Sequence, residues 1–337
     1  MKFSDVLEIK NGRNQKQVEN PNGKYPIYGS GGIMGYADDY ICEPYTVIIG
    51  RKGTINNPIY VETPFWNVDT AFGLQAKKDI LHPKYLYYFC VHFDFEALNT
   101  TVTIPSLTKA NLLNIDIPLP PLAEQTEIVE TLTSVDELIK IKKQQLELFD
   151  ELTKSRFVEL FDGKYETKPL QAVCEELFAG GDVKKDKSSN TQSEEYPYPI
   201  YTNGEKDNGL YGYTSIVRVA KEAVTISGRG TIGFTCLRKE PFYPAVRLIV
   251  AIPKQELVSG CYLQHFIQSK NYGGQGASIP QLTVPMIKDE PIPVPPMELQ
   301  EQFATFVEQV DKSKLAVQQS IAELEELKKS LMQKYFG

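Results

Sequence analysis

Long apolar runs are missing from this 337-residue chain: no stretch approaches the ~18 consecutive apolar residues a membrane helix needs, and the start, MKFSDVLEIKNGRN, has no apolar signal region. The expectation is a soluble, cytoplasmic protein with no membrane contact. Cysteine is scarce as well. Cys42, Cys90, Cys174, Cys236 and Cys261 form no C-x-x-C pair, and His82, His92 and His265 lie far from them in sequence. That spacing supports neither a disulfide framework nor a zinc site. An excess of cations is absent too: 36 Lys and Arg against 43 Asp and Glu leave a formal charge of −7. Coating nucleic acid by bulk charge is thereby excluded, although a local basic groove is not.

Catalytic signatures are also lacking. There is no G-x-x-x-x-G-K-[ST] phosphate loop. Phe178-Ala179-Gly180-Gly181 lacks the G-x-G spacing that lets backbone approach a cofactor, and Asn57-Pro58-Ile59-Tyr60 lacks the second proline of an N-P-P-Y tetrapeptide. No Ser/His/Asp or paired-carboxylate arrangement stands out. The chain reads as a binder and not as an enzyme.

What is present is a duplication. IPSLT (Ile104 to Thr108) returns 175 positions on as IPQLT (Ile279 to Thr283), and IPLPP (Ile117 to Pro121) as IPVPP (Ile292 to Pro296). The same offset carries Gln125 to Gln300, Val135-Asp136 to Val310-Asp311 and Phe161 to Phe336 without a gap. Upstream the correspondence persists but drifts: YPIY recurs at Tyr25 and Tyr198, VIIGRKGTI as VTISGRGTI, and YLYYF as YLQHF. Constant length in one part and drift in the other imply that the first works through length and register, while the second carries features free to differ.

In the drifting parts, short runs of aromatic and β-branched residues punctuated by Gly and Pro predict compact β-rich domains. The opening apolar residues (Phe3, Val6, Leu7, Ile9) and PKYLYYFCVHFDFEALN read as helices, the latter with a core-packing aromatic face. Gly180 to Glu195, polar and poor in apolar residues, reads as a mobile loop or a solvated turn. The constant parts read as long helices. Pro121 and Pro296 suit a first turn, and Glu124 and Glu298 complement the dipole there. Ile128, Leu132, Val135, Ile139, Lys142, Leu146 and Phe149 keep a 4,3 spacing, as do Phe303, Val307, Val310, Lys314, Val317, Ile321 and Leu324. Each seam is interrupted once by lysine, Lys142 or Lys314, a device that fixes register. The expected fold class is α+β: two β-rich domains separated by two long antiparallel coiled-coil helices with a pseudo-two-fold internal repeat. The expected segments are a first domain over 1–117, a helix over 118–163, a second domain over 164–292 and a second helix over 293–337.

The candidate contacts lie in and around GRKGTI (Gly50 to Ile55) and SGRGTI (Ser227 to Ile232). Glycines let backbone N–H groups approach an anion, and a neighbouring guanidinium can neutralise a phosphate or grip a guanine edge. Arg51, Lys52 and Thr54 lead in the first half, with Arg229 and Thr231 in the second. Ser30 and Asn203, in the loops after each YPIY, and Thr103, Ser106, Ser278 and Gln281, just before each helix, complete the set.

These paired motifs, covering essentially the whole chain, make it resemble the specificity subunit of type I restriction–modification systems. The resemblance implies a non-catalytic subunit with two target-recognition domains that read the halves of a bipartite, asymmetric sequence in double-stranded DNA. It implies that the helices dock two modification (methyltransferase) subunits, with Gln125, Gln300, Lys142 and Lys314 as docking candidates, and that up to two restriction subunits join. S-adenosylmethionine, ATP and magnesium would belong to those partners and not to this chain, as would adenine-N6 methylation and DNA cleavage. The alternative from a different class is a two-domain scaffold or lectin-like binding protein.

Overall fold

The structure, a computed structural model, describes residues 1–98, 106–270, 272 and 281–337. The chain divides into two compact units, Met1–Gln145 with Val317–Gly337, and Leu146–Ala316.

The first unit begins with α1 (Phe3–Val6), β1 (Leu7–Asn11), β2 (Tyr25–Gly29), β3 (Gly32–Ala37), β4 (Thr46–Gly50) and β5 (Ile59–Val61). It continues with β6 (Trp66–Asn67), β7 (Ala71–Ala76), α2 (Pro83–His92), α3 (Lys109–Leu113) and the long helix α4 (Leu122–Phe161), which passes into the second unit. Four strands form an antiparallel sheet in the order β1-β7-β4-β5, and three form a second in the order β3-β2-β6, with β6 parallel to β2. The apolar run TVIIG of β4 is buried throughout because both faces of its sheet are covered. Val47, Ile49, Phe72 and Leu74 face a core built with α2 and the start of α4. Ile48 and Ala71 turn the other way onto Phe65 and Tyr28, as the strand's two-residue period requires.

The second unit repeats the plan. It holds β8 (Thr167–Pro169), α5 (Leu170–Val173), β9 (Cys174–Ala179), β10 (Ser188–Ser189), β11 (Tyr198–Tyr201), β12 (Leu210–Thr214) and β13 (Ala223–Ile226). There follow β14 (Thr235–Arg238), β15 (Tyr243–Pro244), β16 (Ile249–Pro253), α6 (Gly260–Ser269), α7 (Val284–Ile287), β17 (Pro291–Pro293) and α8 (Met297–Phe336). The sheet order β9-β16-β13-β14 matches β1-β7-β4-β5, and β12-β11-β15 matches β3-β2-β6 down to the one parallel pair. A small third sheet pairs β17 with β8.

Three local readings need correction. The opening apolar segment is helical for one turn only, because Leu7 and Ile9 alternate into the sheet through β1 pairing with β7. The aromatic segment breaks after His92: Asp94 Oδ1 accepts from Asn56 Nδ2 at 2.8 Å and from Glu96 N at 3.0 Å, and Phe95–Leu98 is a separate 3-10 turn. Gly180 to Glu195 is not simply a loop, since β10 adds an edge strand to β12 and Thr214 Oγ1 donates to Lys187 O at 2.6 Å.

The two long helices have equal length, 40 residues each, or about 60 Å at ~1.5 Å per residue. They span Leu122–Phe161 and Met297–Phe336, against the expected 118–163 and 293–337, and Pro121 and Pro296 stand just before the first helical residue, their carbonyls accepting the first helical bonds from Gln125 N at 3.0 Å and Leu299 N at 3.1 Å. Within each unit the two helices run antiparallel. Asp136 pairs with Lys328 at 2.7 Å and Lys143 with Glu325 at 3.0 Å in the first unit. Asp150 pairs with Lys314 at 2.5 Å, and the Arg156 guanidinium lies 6.0 Å from the Phe306 ring centre, in the second. The seam positions Ile128, Leu132, Val135, Ile139, Phe303, Val310, Val317 and Ile321 are buried.

Each domain is locked to its helices by the same two devices. One is an aromatic plug: Phe336 packs 5.0 Å from Tyr85 and 6.0 Å from Phe89, and its repeat partner Phe161 packs 4.8 Å from Tyr262. The other is a glutamine. Gln125 Oε1 accepts from His82 N at 2.8 Å, while its Nε2 donates to Ile80 O at 3.0 Å and Pro120 O at 2.8 Å. Gln300 repeats the pattern with Ser259 N at 2.7 Å, Leu257 O at 3.1 Å and Pro295 O at 2.9 Å.

Candidate nucleic-acid interface

In both units the chain leaves the central strand of the large sheet through a glycine-rich turn. A Cβ on Gly50 would meet Thr54 O at 2.0 Å, so only glycine lets the turn fold back on itself there. Gly53 and Gly230 take φ of 80° and 68°, the left-handed region that side chains disfavour. The two turns superpose 177 positions apart, so Arg229 stands at the place of Lys52, and the residue at the place of Arg51 is Gly228.

The turn is stitched to its surroundings alike in both units. Leu107 N donates to Arg51 O at 2.9 Å, and Leu282 N to Gly228 O at 2.9 Å. Lys52 forms a backbone bridge with Ser106, and the Arg229 Nη2 donates to Gln281 Oε1 at 2.9 Å. Ser30, at the tip of the β2–β3 hairpin, reaches within 3.0 Å of where a Cβ on Gly50 would sit. Thus Ser30, Arg51, Lys52, Thr54 and Ser106 share one rim of the first unit, and Asn203, Arg229, Thr231 and Gln281 share the corresponding rim of the second. Arg51, Lys52, Thr54 and Thr231 are exposed, while Arg229 is partly buried. The Arg51 guanidinium lies 5.6 Å from the Phe72 ring centre. Asn203 braces its turn, accepting from Gly228 N at 2.7 Å and donating to Val246 O at 3.0 Å. Thr103 and Ser278 lie outside the described residues.

Two further basic residues, Arg13 and Arg247, meet the same rims. Arg13 N donates to Asn67 O at 2.8 Å, beside the pair in which Arg51 N donates to Thr70 O at 2.8 Å. Arg247 is exposed, has a φ of 69°, and lines with Gln281 a cavity of ≈ 230 Å³. Arg13 follows Gly12, but the motif does not recur in the second half, and Arg247 emerges only when the turns' offset of 177 is carried on from Thr70.

The docking candidates separate. Gln125 and Gln300 are wholly buried and bonded within their own domains, so neither presents a surface to another subunit. Their part is to join domain to helix, a correction to the sequence reading, which had no means of telling a buried amide from an exposed one. Lys142 and Lys314 are half-buried on the helix seams, and Lys314 is held by Asp150.

No helix among the described residues is long and apolar enough to cross a membrane, and no group of three or more His, Cys, Asp or Glu residues among them is placed to hold a metal ion. An antiparallel sheet built twice, with a cation-bearing glycine turn on each copy and equal long helices, defines a class of duplicated two-unit proteins. The model of one family in that class, the type I restriction modification DNA specificity domain, matches residues 1–148 and again 163–326. The chain belongs to this family. It is 26% identical over 324 residues to a putative type I specificity subunit of Mycoplasma pneumoniae, covering 91% of this chain and 87% of that one. A second such subunit from the same organism is 30% identical over 297 residues, covering 82% and 87%. The fold resembles the crystal structure of a type I restriction–modification S subunit from M. genitalium, with a TM-score of 0.64 at 18% identity over 100% of this chain and 95% of that one.

Proposed function

We propose that this chain is the non-catalytic subunit that gives a type I restriction–modification complex its DNA sequence specificity, each β-rich domain reading one half of a bipartite, asymmetric target. Family membership supplies the role in recognising DNA sequence. The observation that carries the bipartite reading is the doubled rim: one backbone frame, built twice, bears Arg51 and Lys52 in one copy and Gly228 and Arg229 in the other. Like frames with different side chains suit two half-sites of different sequence. The domains divide as 1–117 and 164–292, with helices over 118–163 and 293–337 as spacers.

Equal helix lengths support a ruler, in which the spacers set the separation of the half-sites as dimer geometry does in other readers. Two modification subunits dock on the helices, with Lys142 and Lys314 in reach, and bring S-adenosylmethionine and the base flipping that adenine-N6 methylation requires. Restriction subunits add ATP- and magnesium-dependent cleavage. This chain holds none of these cofactors and works in the cytoplasm, where its DNA is.

The test is assembly followed by binding. The chain, co-expressed with an adenine methyltransferase subunit of the same system, is expected to co-elute with it and to retain a narrow subset of a random duplex library. Co-elution with no sequence enrichment would reject the proposal.

A further inference from the structure

The two rims differ in a systematic way. In the first unit Arg51 N donates to Thr70 O. The corresponding pair in the second unit, 177 positions on, is Gly228 and Arg247. The guanidinium has crossed from one member of the pair to the other. The reason it cannot stay is steric: a Cβ on Gly228 would lie 2.7 Å from Leu282 O and 2.8 Å from Arg247 O, both rigid backbone atoms. A side chain is therefore excluded where Arg51 stands in the first copy. The residue whose carbonyl closes that space, Arg247, carries the charge instead.

Arg247 does so at a cost in backbone conformation. Its φ of 69° is a left-handed value in which glycine and asparagine are at home and a long side chain is not. Strained non-glycine residues of this kind concentrate at binding and catalytic sites. The side chain is exposed at the mouth of the cavity it shares with Gln281, whose Oε1 is held by Arg229. A second exchange runs beside the first. Arg13, whose N donates to Asn67 O at 2.8 Å, is replaced by Gly181, whose N donates to Pro244 O at 3.2 Å. The first rim thus bears Arg13, Arg51 and Lys52, and the second Arg229 and Arg247, on a shared backbone frame.

We infer that Arg247 is a specificity-determining residue of the second domain, the counterpart of Arg51 displaced to the backbone segment that faces it, and that each guanidinium grips a base edge, guanine O6 and N7 by its chemistry, in a different half-site. This rests on the proposed DNA-reading function. An arginine at an exposed turn with two parallel N–H donors matches that edge, whereas the lysine at position 52 is a point charge suited to phosphate. The half-sites differ because the same frame delivers the guanidinium from different places.

The experiment uses the full chain assembled with its methyltransferase subunit and reads the target profile of wild type, Arg247→Gly, Arg51→Ala and Lys52→Ala on a randomised duplex library. Glycine at 247 keeps the left-handed backbone while deleting the side chain, so the variant is expected to melt no lower than wild type. It is expected to lose about 10- to 100-fold discrimination at one base pair of one half-site. Arg51→Ala is expected to lose a similar factor at one base pair of the other half-site. Lys52→Ala is expected to weaken binding evenly across sequences and to lower its salt dependence. An unchanged motif for Arg247→Gly, or an even loss across all sequences, would overturn the assignment. A wild-type complex that shows no sequence preference would instead reject the proposed function itself.

Discussion

Single side chains in this protein divide sharply into those that read and those that hold. Gln125 and Gln300 hold. Each satisfies one N–H and two carbonyls in the corner between a domain and its helix, and truncation leaves those backbone groups buried without partners. Gln125→Ala and Gln300→Ala are each expected to cost about 2–4 kcal/mol, read from urea unfolding, with no change in target sequence. A loss below about 0.5 kcal/mol would remove the joint from this account.

His82 adds a pH dependence at the same corner. Its Nδ1 accepts from Lys84 N at 3.2 Å as the N-cap of α2, and burial, with Lys84 nearby, holds its pKa below the ordinary 6.5. Burial lowers His265 in the second unit as well. A lowered folded value means the unfolded chain binds the proton more readily. The stabilisation is therefore fully present above about pH 6.5 and is lost as pH falls toward the folded pKa. Ser259 fills the His82 position in the second domain and caps α6 by accepting from Tyr262 N. His82→Ser is thus expected to keep the cap and flatten part of the acid slope in unfolding midpoints taken from pH 5 to 8. An unaltered slope would contradict it.

At the scale of elements, the long helices were legible in advance because their signal is redundant: a 4,3 apolar spacing, a constant offset of 175 and proline at each start all point one way. Sheet pairing was less legible. The parallel partnership of β2 with β6 joins segments whose contact no local pattern announces, and the two-residue strand β10 is too short to show a period. The turns stood out because glycine and cation alternate there, yet Arg247 did not: it keeps the turns' offset of 177, but its counterpart is Thr70 and no shared residue type marks the position. Residues 104–105 and 279–280 of the repeated I-P motifs fall outside the described set.

The aromatic plugs give the elements a ranking. Phe336 is buried against Tyr85 and Phe89, whereas Phe161 is only partly buried. Phe336→Ala is expected to destabilise the first unit by about 3–4 kcal/mol and Phe161→Ala to destabilise the second by less, measured by hydrogen exchange in each unit. The reverse order would show that burial does not govern these joints. The seam ion pairs are half-exposed and contribute about 0–1 kcal/mol each, so register rests on the apolar positions. Seven residues inserted into α4 are expected either to change the spacer that the assembled complex accepts between half-sites or to abolish specific binding. Full activity at the original spacer would reject the ruler.

For the molecule as a whole, duplication explains both what is constant and what varies. A single gene segment copied once yields two equal helices and two like frames. Divergence at the rims then gives each copy its own sequence to read, while substitutions in the cores, such as Phe72 to Ile249 and Leu74 to Ala251, leave the sheet order and the glutamine joints in place. The formal charge of −7 fits a reader that concentrates its cations locally and leaves bulk attraction low. The most direct measurement is a base-resolved map of N6-methyladenine on DNA exposed to the chain assembled with its methyltransferase subunit. The account predicts methylation within one asymmetric motif of two specific halves separated by a spacer of constant length and free sequence. Methylation without sequence preference, or within a single uninterrupted motif, would contradict it.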